Sequence, residues 1–159
     1  MNTPIPEIRT MAAKDLESVL AIERASFRSP WTFTMFQQEL NLSFSRHLVI
    51  SQSVQGIVGY IIFWIIHGET QLQRIAVKSN LRGQGIGSLL IQEMIRMCAV
   101  ENVTQGSLEV RSSNEPAFLL YKKFGFCISG MRKGYYTDNG EDALIMTYTM
   151  DNQNSKKEP

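Results

Sequence analysis

The sequence is poor in the features that mark secreted, metal-binding and membrane proteins. Only two of its 159 residues are cysteine, Cys98 and Cys127, and they stand in no CxxC or other ligand spacing. We expect both to be buried free thiols. The most apolar stretch, Ile57–Ile66, is too short to span a bilayer. Met1–Arg9 holds two prolines and no apolar core of the kind found in signal peptides. These absences predict a cytoplasmic protein that does not bind membranes.

The net charge is small and histidine is rare. Sixteen Lys and Arg residues face fifteen Asp and Glu residues, which gives a formal net charge of +1. A chain so nearly neutral has no strong field to attract nucleic acid, so we expect no nucleic-acid partner. The two histidines, His47 and His67, stand in no spacing typical of a metal site or a catalytic triad. We therefore expect no metal and no covalent Ser/His/Asp mechanism.

The composition itself is that of a folded domain. Hydrophobic residues make up 43% of the chain and charged residues 19%, and the length suits one domain. We expect that domain over residues 1–150, with Asp151–Pro159 as a frayed polar tail.

Helical and strand-like patterns alternate along the chain, which predicts an α/β fold with a mixed sheet. The expected strands are Ile5–Met11, His47–Gln52, Ile57–Ile66, Thr70–Val77, Ser107–Arg111, Phe126–Tyr135 and Ala143–Met150. The expected helices are Ala12–Ser26, Thr32–Leu40, Ile86–Val100 and Ala117–Phe124, with Thr32 as a capping residue.

The most informative segment is a glycine-rich loop, Arg82-Gly83-Gln84-Gly85-Ile86-Gly87, between a predicted strand and a long predicted helix. Glycines let backbone N–H groups approach a ligand, and the start of a helix favours an anion. A Walker loop is excluded because no Lys followed by Ser or Thr is present. A dinucleotide fingerprint needs GxGxxG after an early strand, whereas the spacing here is GxGxG in mid-chain. A glycine-rich connection without a ligand remains an alternative.

This loop matches, at every fixed position, the Q/R-x-x-G-x-G/A motif of the GNAT superfamily of acetyltransferases. The resemblance implies a GNAT fold with about six to seven strands and about four helices, and acetyl-CoA as cosubstrate. In that superfamily the loop wraps the coenzyme A pyrophosphate, and the strand before it pairs with the pantetheine arm. The cofactor-binding positions that the resemblance implies are Ile75, Ala76, Val77, Arg82, Gly83, Gln84, Gly85, Ile86, Gly87 and Ser88.

Acetylation of an amine makes three physical demands. The amine must be neutral, because an ammonium group has no lone pair. The thioester carbonyl must be polarised as negative charge develops on its oxygen. The departing thiolate benefits from a nearby proton donor.

Glu109 is a candidate for the first task. Its apolar neighbours Leu108 and Val110 should face the opposite side of the strand, and composition alone favours a solvated carboxylate here. However, Leu108–Arg111 followed by Asn114 resembles the LEVRxxN segment of the RimI-type branch of the superfamily, in which the Glu is the general base. The resemblance implies that role for Glu109 and a cofactor contact for Asn114, whose alternative role is to cap the next helix.

Tyr121 is a candidate for the third task. Spacing alone favours a core aromatic residue. The run from Ala117 to Phe126 matches the superfamily pattern A-x-x-L-Y-x-x-x-G-F, whose Tyr protonates the coenzyme A thiolate. The resemblance implies that Tyr121 is the general acid. Because a phenol has a pKa of about 10 and an alkyl thiol about 8.5, we also expect it to act by hydrogen bonding to sulfur.

Two further segments resemble RimI-type enzymes and concern the acceptor. Phe27–Trp31 resembles their "PW" loop, and Arg132–Tyr136 followed by Gly140–Ala143 and Met146 resembles their "R-x-x-YY…EDA…M" end. In N-terminal acetyltransferases these segments flank a groove for an extended peptide end. The implied substrate-binding residues are Phe27, Pro30, Trp31, Tyr135 and Tyr136, for which loop packing is the alternative role.

The resemblance runs from about Ala13 to Met150 and implies an acetyl-CoA-dependent N-acetyltransferase. Its implied acceptor is a protein N-terminus, specifically the N-terminal alanine of a small-subunit ribosomal protein, and transfer is direct. We expect a monomer or weak dimer. Two other interpretations stay open: a GNAT enzyme for lysine or a small amine, and a non-catalytic coenzyme A-binding module. The presence of both Glu109 and Tyr121 argues against the non-catalytic module.

Overall fold

The computed structural model describes residues 5–149, and within that range the chain forms seven strands and four α-helices. The strands are β1 (Glu7–Thr10), β2 (Ser45–Gln52), β3 (Gly56–Ile66), β4 (Glu69–Val77), β5 (Gln105–Arg111), β6 (Cys127–Tyr136) and β7 (Glu141–Thr149). The helices are α1 (Leu16–Ser26), α2 (Phe33–Leu40), α3 (Ile86–Val100) and α4 (Glu115–Lys123). The predicted α/β class and the number of elements are confirmed. Met150 and the predicted tail lie outside the described residues.

The strands form one mixed sheet in the order β1-β2-β3-β4-β5-β7-β6. The neighbours β4 and β5 are parallel, and α3 provides the crossover that a parallel pair requires. Four other pairs, β1 with β2, β2 with β3, β5 with β7 and β6 with β7, are antiparallel. The last strand in sequence therefore lies between β5 and β6, which leaves β6 at an edge of the sheet.

The chain divides into two compact units, with boundaries after Trp64, Leu72 and Met94. The expectation of one domain over residues 1–150 stays a prediction. The first unit contains β1, β2, α1 and α2, together with β3 up to Trp64, β4 from Gln73 and α3 up to Met94. It has an apolar core. The core residues are Met11, Leu16, Val19, Leu20, Ile22, Phe36, Val49, Tyr60, Ile62 and Ala76. Four of them recur along α1 at the predicted helical spacing, which places the apolar stripe of that helix in the core.

The second unit contains β5, β6, β7 and α4. Phe126, buried just before β6, packs its ring against Tyr121 at 6.2 Å and Tyr148 at 5.3 Å between ring centroids. Cys98 is buried as expected. The expectation that Cys127 is buried is wrong: this thiol is exposed, because it begins the edge strand β6, whose residues are nearly all exposed.

Local capping explains where the helices begin. Thr32 caps α2, as predicted, by accepting a hydrogen bond from the backbone N–H of Met35 at 3.2 Å. The first predicted helix starts later than expected, since 13–15 form a 3-10 turn. There the Asp15 carboxylate accepts from the Ala12 N–H at 2.8 Å and pairs with Arg9 at 2.7 Å. No helix within residues 5–149 has the length and apolar character needed to cross a membrane.

Candidate active site

The glycine-rich loop joins β4 to α3, and α3 begins at Ile86 as predicted. Gly83 and Gly85 have φ angles of 76° and 87°, which side chains with a Cβ rarely adopt. A Cβ built on either glycine would meet no atom within 4 Å, so the space beside this backbone is open. The N–H groups of the first helical turn have no acceptor within their own helix. The loop therefore fits a diphosphate, which needs open space, backbone donors and the positive end of a helix dipole.

Side-chain contacts hold the start of this loop in place. The Nε of Arg82 donates to the carbonyl of Val77 at 3.1 Å, and its Nη2 donates to the hydroxyl of Ser26 at 3.0 Å. That hydroxyl in turn donates to the carbonyl of Ile22 at 2.6 Å. Arg82 thus fastens the loop to the end of β4 and to the last turn of α1.

The other predicted cofactor-binding positions differ in exposure. In β4, Ala76 is buried and Ile75 and Val77 are half-buried. In the loop, Arg82, Gly83, Gln84 and Gly85 are exposed, whereas Ile86 is buried and Gly87 and Ser88 are half-buried. Because the glycines before the buried first residue of α3 are exposed, the backbone of the loop is accessible.

The carboxylate of Glu109 lies on β5 in the predicted alternation. Leu108 and Val110 are 1% and 4% exposed, whereas the Glu109 side chain is 21% exposed. Its Oε1 lies 3.0 Å from the Nε of Arg132. The hydroxyl of Tyr135 donates to the same carboxylate, and this hydrogen bond, with some burial, raises the pKa of Tyr135. The structure therefore brings one predicted substrate-binding residue to the predicted base.

Sequence reasoning missed Arg132 as a site residue. The only signal is its place in the R-x-x-Y-Y pattern, three positions before Tyr135. Its contact with Glu109 depends on the strand order, which the chain alone does not reveal.

Tyr121 is buried in α4, with 6% of the residue exposed. Burial, together with the nearby Tyr136 hydroxyl, raises the pKa of Tyr121 well above that of a free phenol. The hydroxyl therefore keeps its proton at neutral pH and is able to donate a hydrogen bond. Its packing against Phe126 also agrees with the alternative role as a core aromatic residue, so the acid role stays a prediction.

Asn114 acts as the cap of α4. Its Oδ1 accepts a hydrogen bond from the N–H of Ala117 at 3.3 Å, so α4 starts at Glu115, two residues before the predicted helix. The alternative role considered for Asn114 is thus confirmed, and its contact with the cofactor stays a prediction.

The loop Phe27–Trp31, named the acceptor loop after its predicted role, connects α1 to α2. Phe27 and Trp31 are half-buried, and Pro30 is exposed. The guanidinium of Arg74 lies 3.8 Å from the centroid of the Phe27 ring, and Trp31 packs on Phe36 at 5.3 Å between ring centroids.

The two adjacent tyrosines near the end of β6 pack edge to face, with 5.2 Å between ring centroids. Tyr135 is 48% exposed, whereas Tyr136 lies under the guanidinium of Arg111 at 3.9 Å. Arg111 is held by Asp138 at 2.7 Å and by Glu141 at 3.5 Å. Both partners lie in or beside the β6–β7 turn, so Arg111 ties this turn to β5.

Among residues 5–149, His, Cys, Asp and Glu form no group of three that could hold a metal ion.

Comparison with known proteins agrees with this geometry. Residues 16–126 match the sequence profile of the acetyltransferase (GNAT) family. A Bacillus subtilis (strain 168) protein provisionally named a ribosomal protein bS18-alanine N-acetyltransferase is 43% identical over 143 residues, covering 90% of this chain and 95% of the relative. The ribosomal protein bS18-alanine N-acetyltransferase of Escherichia coli (strain K12) is 33% identical over 151 residues, covering 92% of this chain and 96% of that relative.

The fold agrees as well. The crystal structure of the ribosomal-protein-S18-alanine N-acetyltransferase from Escherichia coli superposes with a TM-score of 0.84 at 28% identity, over 94% of this chain and 98% of that one. Since the family profile covers well over half of the chain, from α1 through the glycine-rich loop to Phe126, the protein belongs to the acetyltransferase (GNAT) family, whose members use acetyl-CoA.

Proposed function

We propose that this protein transfers the acetyl group of acetyl-CoA directly to the α-amine of a protein N-terminus, and that the acceptor is the N-terminal alanine of a small-subunit ribosomal protein. The observation that carries the proposal is the Glu109 carboxylate, held by Arg132 and Tyr135 at the position where the family motif has its base. The two relatives named for bS18 alanine acetylation support the choice of acceptor.

The proposed cofactor site is the β4–α3 connection. When bound, acetyl-CoA supplies a thioester that an amine can attack. The backbone of Gly83 and Gly85 and the first turn of α3 would hold its diphosphate, because they combine open space with N–H donors. We assign the binding of the pantetheine arm of acetyl-CoA to Ile75–Val77 and to Asn114. We also propose that no metal takes part in the reaction.

Glu109 is the proposed general base. A protein N-terminus is partly protonated at neutral pH, and a half-buried carboxylate is suited to accept its proton, directly or through water. Tyr135 and Arg132 orient that carboxylate by donating to it. Tyr121, which is protonated at neutral pH like any phenol, is the proposed general acid for the leaving sulfur. Its raised pKa favours a hydrogen bond to the sulfur over full proton transfer.

The proposed acceptor-binding residues are Phe27, Pro30 and Trp31 of the acceptor loop and, each unit taken by itself, Tyr135 and Tyr136 of β6. Half-exposed aromatic rings exclude water, and a tyrosine hydroxyl can bond to the peptide backbone. Because the proposed acceptor is made in the cytoplasm, we place the enzyme there, as a monomer or weak dimer that binds neither nucleic acid nor membrane.

Mass spectrometry of intact acceptors tests this function. The enzyme is incubated with acetyl-CoA and an alanine-starting peptide from the small-subunit ribosomal protein S18 of the same organism. Matched controls are the same peptide with a blocked N-terminus, a lysine peptide with a blocked N-terminus, and a polyamine. We expect one added acetyl group on the free α-amine and none on the controls. Transfer only to lysine or to the polyamine would refute the proposed acceptor, and no transfer to any amine would support a non-catalytic module.

A further inference from the structure

The carboxylate of Glu23, on α1, is completely buried, with 0% of the residue exposed. One of its oxygens accepts a hydrogen bond from the hydroxyl of Tyr60 at 2.9 Å. The other accepts from the Nε of Arg74 at 2.5 Å. A buried carboxylate is costly unless it is paired and hydrogen-bonded, so these contacts fix Arg74 firmly against α1.

The rest of the Arg74 guanidinium faces the acceptor loop and contacts it along its length. It stacks on the ring of Phe27 at 3.8 Å and lies 5.4 Å from the ring centroid of Trp31. Its Nη2 donates to the carbonyl of Ser29, between these two rings, at 3.3 Å. A planar guanidinium is able to stack and donate at the same time, whereas the compact ammonium of a lysine does not stack in this way.

A second path of contacts returns from the loop to the same carboxylate. Trp31 packs on the buried ring of Phe36, and Phe36 packs edge to face on Tyr60 with 5.8 Å between centroids. Tyr60 in turn donates a hydrogen bond to Glu23. The contacts therefore form a closed ring that runs from the acceptor loop through Arg74 to Glu23 and back through Tyr60 and Phe36.

Arg74 also directly precedes Ile75–Val77 on β4, the segment assigned to the arm of acetyl-CoA. A single residue thus connects the backbone of that strand to the loop assigned to the acceptor.

We propose that Arg74 is the positioning residue of the acceptor loop: clamped by Glu23, it fixes Phe27, Ser29 and Trp31 and thereby sets the affinity for the acceptor peptide. The proposal rests on the proposed function, because it takes the ligand of this loop to be the acceptor. Arg74 acts through the loop and takes no part in the proton transfers.

The test is the Arg74→Lys variant. It keeps a cation opposite Glu23, but it removes the stacking on Phe27 and the planar guanidinium that donates to Glu23 and Ser29 at the same time. We expect the KM for the acceptor peptide to rise about 10-fold, the equivalent of losing one stacked cation and one hydrogen bond. The kcat at saturating peptide and the KM for acetyl-CoA should change little. Unchanged KM for the peptide, or an equal rise in both KM values, would overturn the proposal.

The matched control is Arg9→Lys. Arg9 also pairs with a buried carboxylate in the first unit, through two hydrogen bonds to Asp15 at 2.7 and 2.8 Å. The described contacts of Arg9 include no residue of the acceptor loop. This variant should match Arg74→Lys in any loss of thermal stability and leave both KM values unchanged. A rise in the KM for the peptide as large as that of Arg74→Lys would show that the effect is general destabilisation.

A readout without substrate separates this inference from the proposed function. The chain has two tryptophans, Trp31 in the loop and Trp64 in β3, so 5-fluorotryptophan labelling gives two 19F resonances, which a Trp31→Phe variant assigns. In Arg74→Lys we expect the Trp31 resonance to shift or broaden and the Trp64 resonance to stay. An unmoved Trp31 resonance would refute the positioning role even in an active enzyme. A shifted Trp31 resonance in a protein that acetylates no N-terminus would support that role and refute the proposed function.

Discussion

The Nε of Arg132 lies 3.0 Å from a carboxylate oxygen of Glu109, although a whole strand separates the two residues. Glu109 on β5 is opposite Ile145 on β7, and Ile145 is in turn opposite Gly130 on β6. Strands are about 4.8 Å apart, so the distance from β5 to β6 is about 10 Å, which a long arginine side chain can cover. The proposed base is therefore oriented from a strand that does not pair with its own.

Arg132→Gln removes this contact and tests its importance. The Arg132 side chain is 57% exposed, so we expect the free energy of unfolding to fall by no more than about 1 kcal/mol. We expect kcat to fall roughly tenfold, because a loosely held base is in the reactive geometry less often. Steady-state kinetics and thermal unfolding measure the two effects. A large loss of stability with unchanged kcat would show that the pair is only structural.

Glu109→Gln should lower turnover by about 100-fold or more, the usual contribution of a general base. The loss should be greatest at low pH, where the amine is protonated and needs a base. The measurement is kcat/KM across pH for enzyme and variant with the same peptide. A loss of equal size at every pH would indicate a binding role for Glu109 instead.

Tyr121→Phe keeps the ring packed against Phe126 and removes only the hydroxyl. We expect kcat to fall by up to about 100-fold with little change in the affinity for acetyl-CoA. Thermal unfolding should show a fold of similar stability. If the affinity for acetyl-CoA collapses, the hydroxyl binds the cofactor and is not the acid.

Gly85→Val should abolish acetyl-CoA binding in calorimetry. Gly85 has a φ of 87°, and its missing side chain leaves open the space assigned to the diphosphate. A valine would strain the backbone and fill that space.

Gly56→Val provides the matched control, since Gly56 also has a positive φ, 70°, and open space at its Cβ, but begins β3, directly after the β2–β3 turn. It should lose comparable stability, about 1–2 kcal/mol, and keep its affinity for acetyl-CoA. Normal binding by Gly85→Val would refute the assignment of the loop.

Glu141 lies beside the β6–β7 turn and accepts several hydrogen bonds, which lower its pKa to about 2. The bonds from Ser113 have the largest effect, and those from Asn139 and Arg111 add to it. A carboxylate whose pKa is lower in the folded protein stabilises the fold above the pKa of the unfolded chain, about 4.3. That stabilisation disappears as the pH falls toward 2. We therefore expect Glu141→Gln to be less stable than the native protein at pH 7, and the difference to shrink below pH 4. A difference that is constant from pH 7 to pH 2 would contradict this explanation.

Several features could be predicted from the sequence because they depend on neighbours in the chain. The glycine spacing predicts both the open loop and the start of α3 at Ile86, and alternation predicts that Glu109 points away from Leu108 and Val110. Thr32 caps α2 because capping involves residues only three positions apart. These patterns determined the α/β class and the place of the glycine-rich loop.

Other features were decided only by the tertiary structure. Arg74 reaches Glu23 across 51 positions, Arg132 reaches Glu109 only because β7 lies between β5 and β6, and Cys127 is exposed only because β6 is an edge strand. A backbone preference extends over a few residues, whereas the partner of a charge depends on which strands become neighbours. Hence the sequence by itself predicts which side chains are candidates for the chemistry, and the tertiary structure decided which residues contact them.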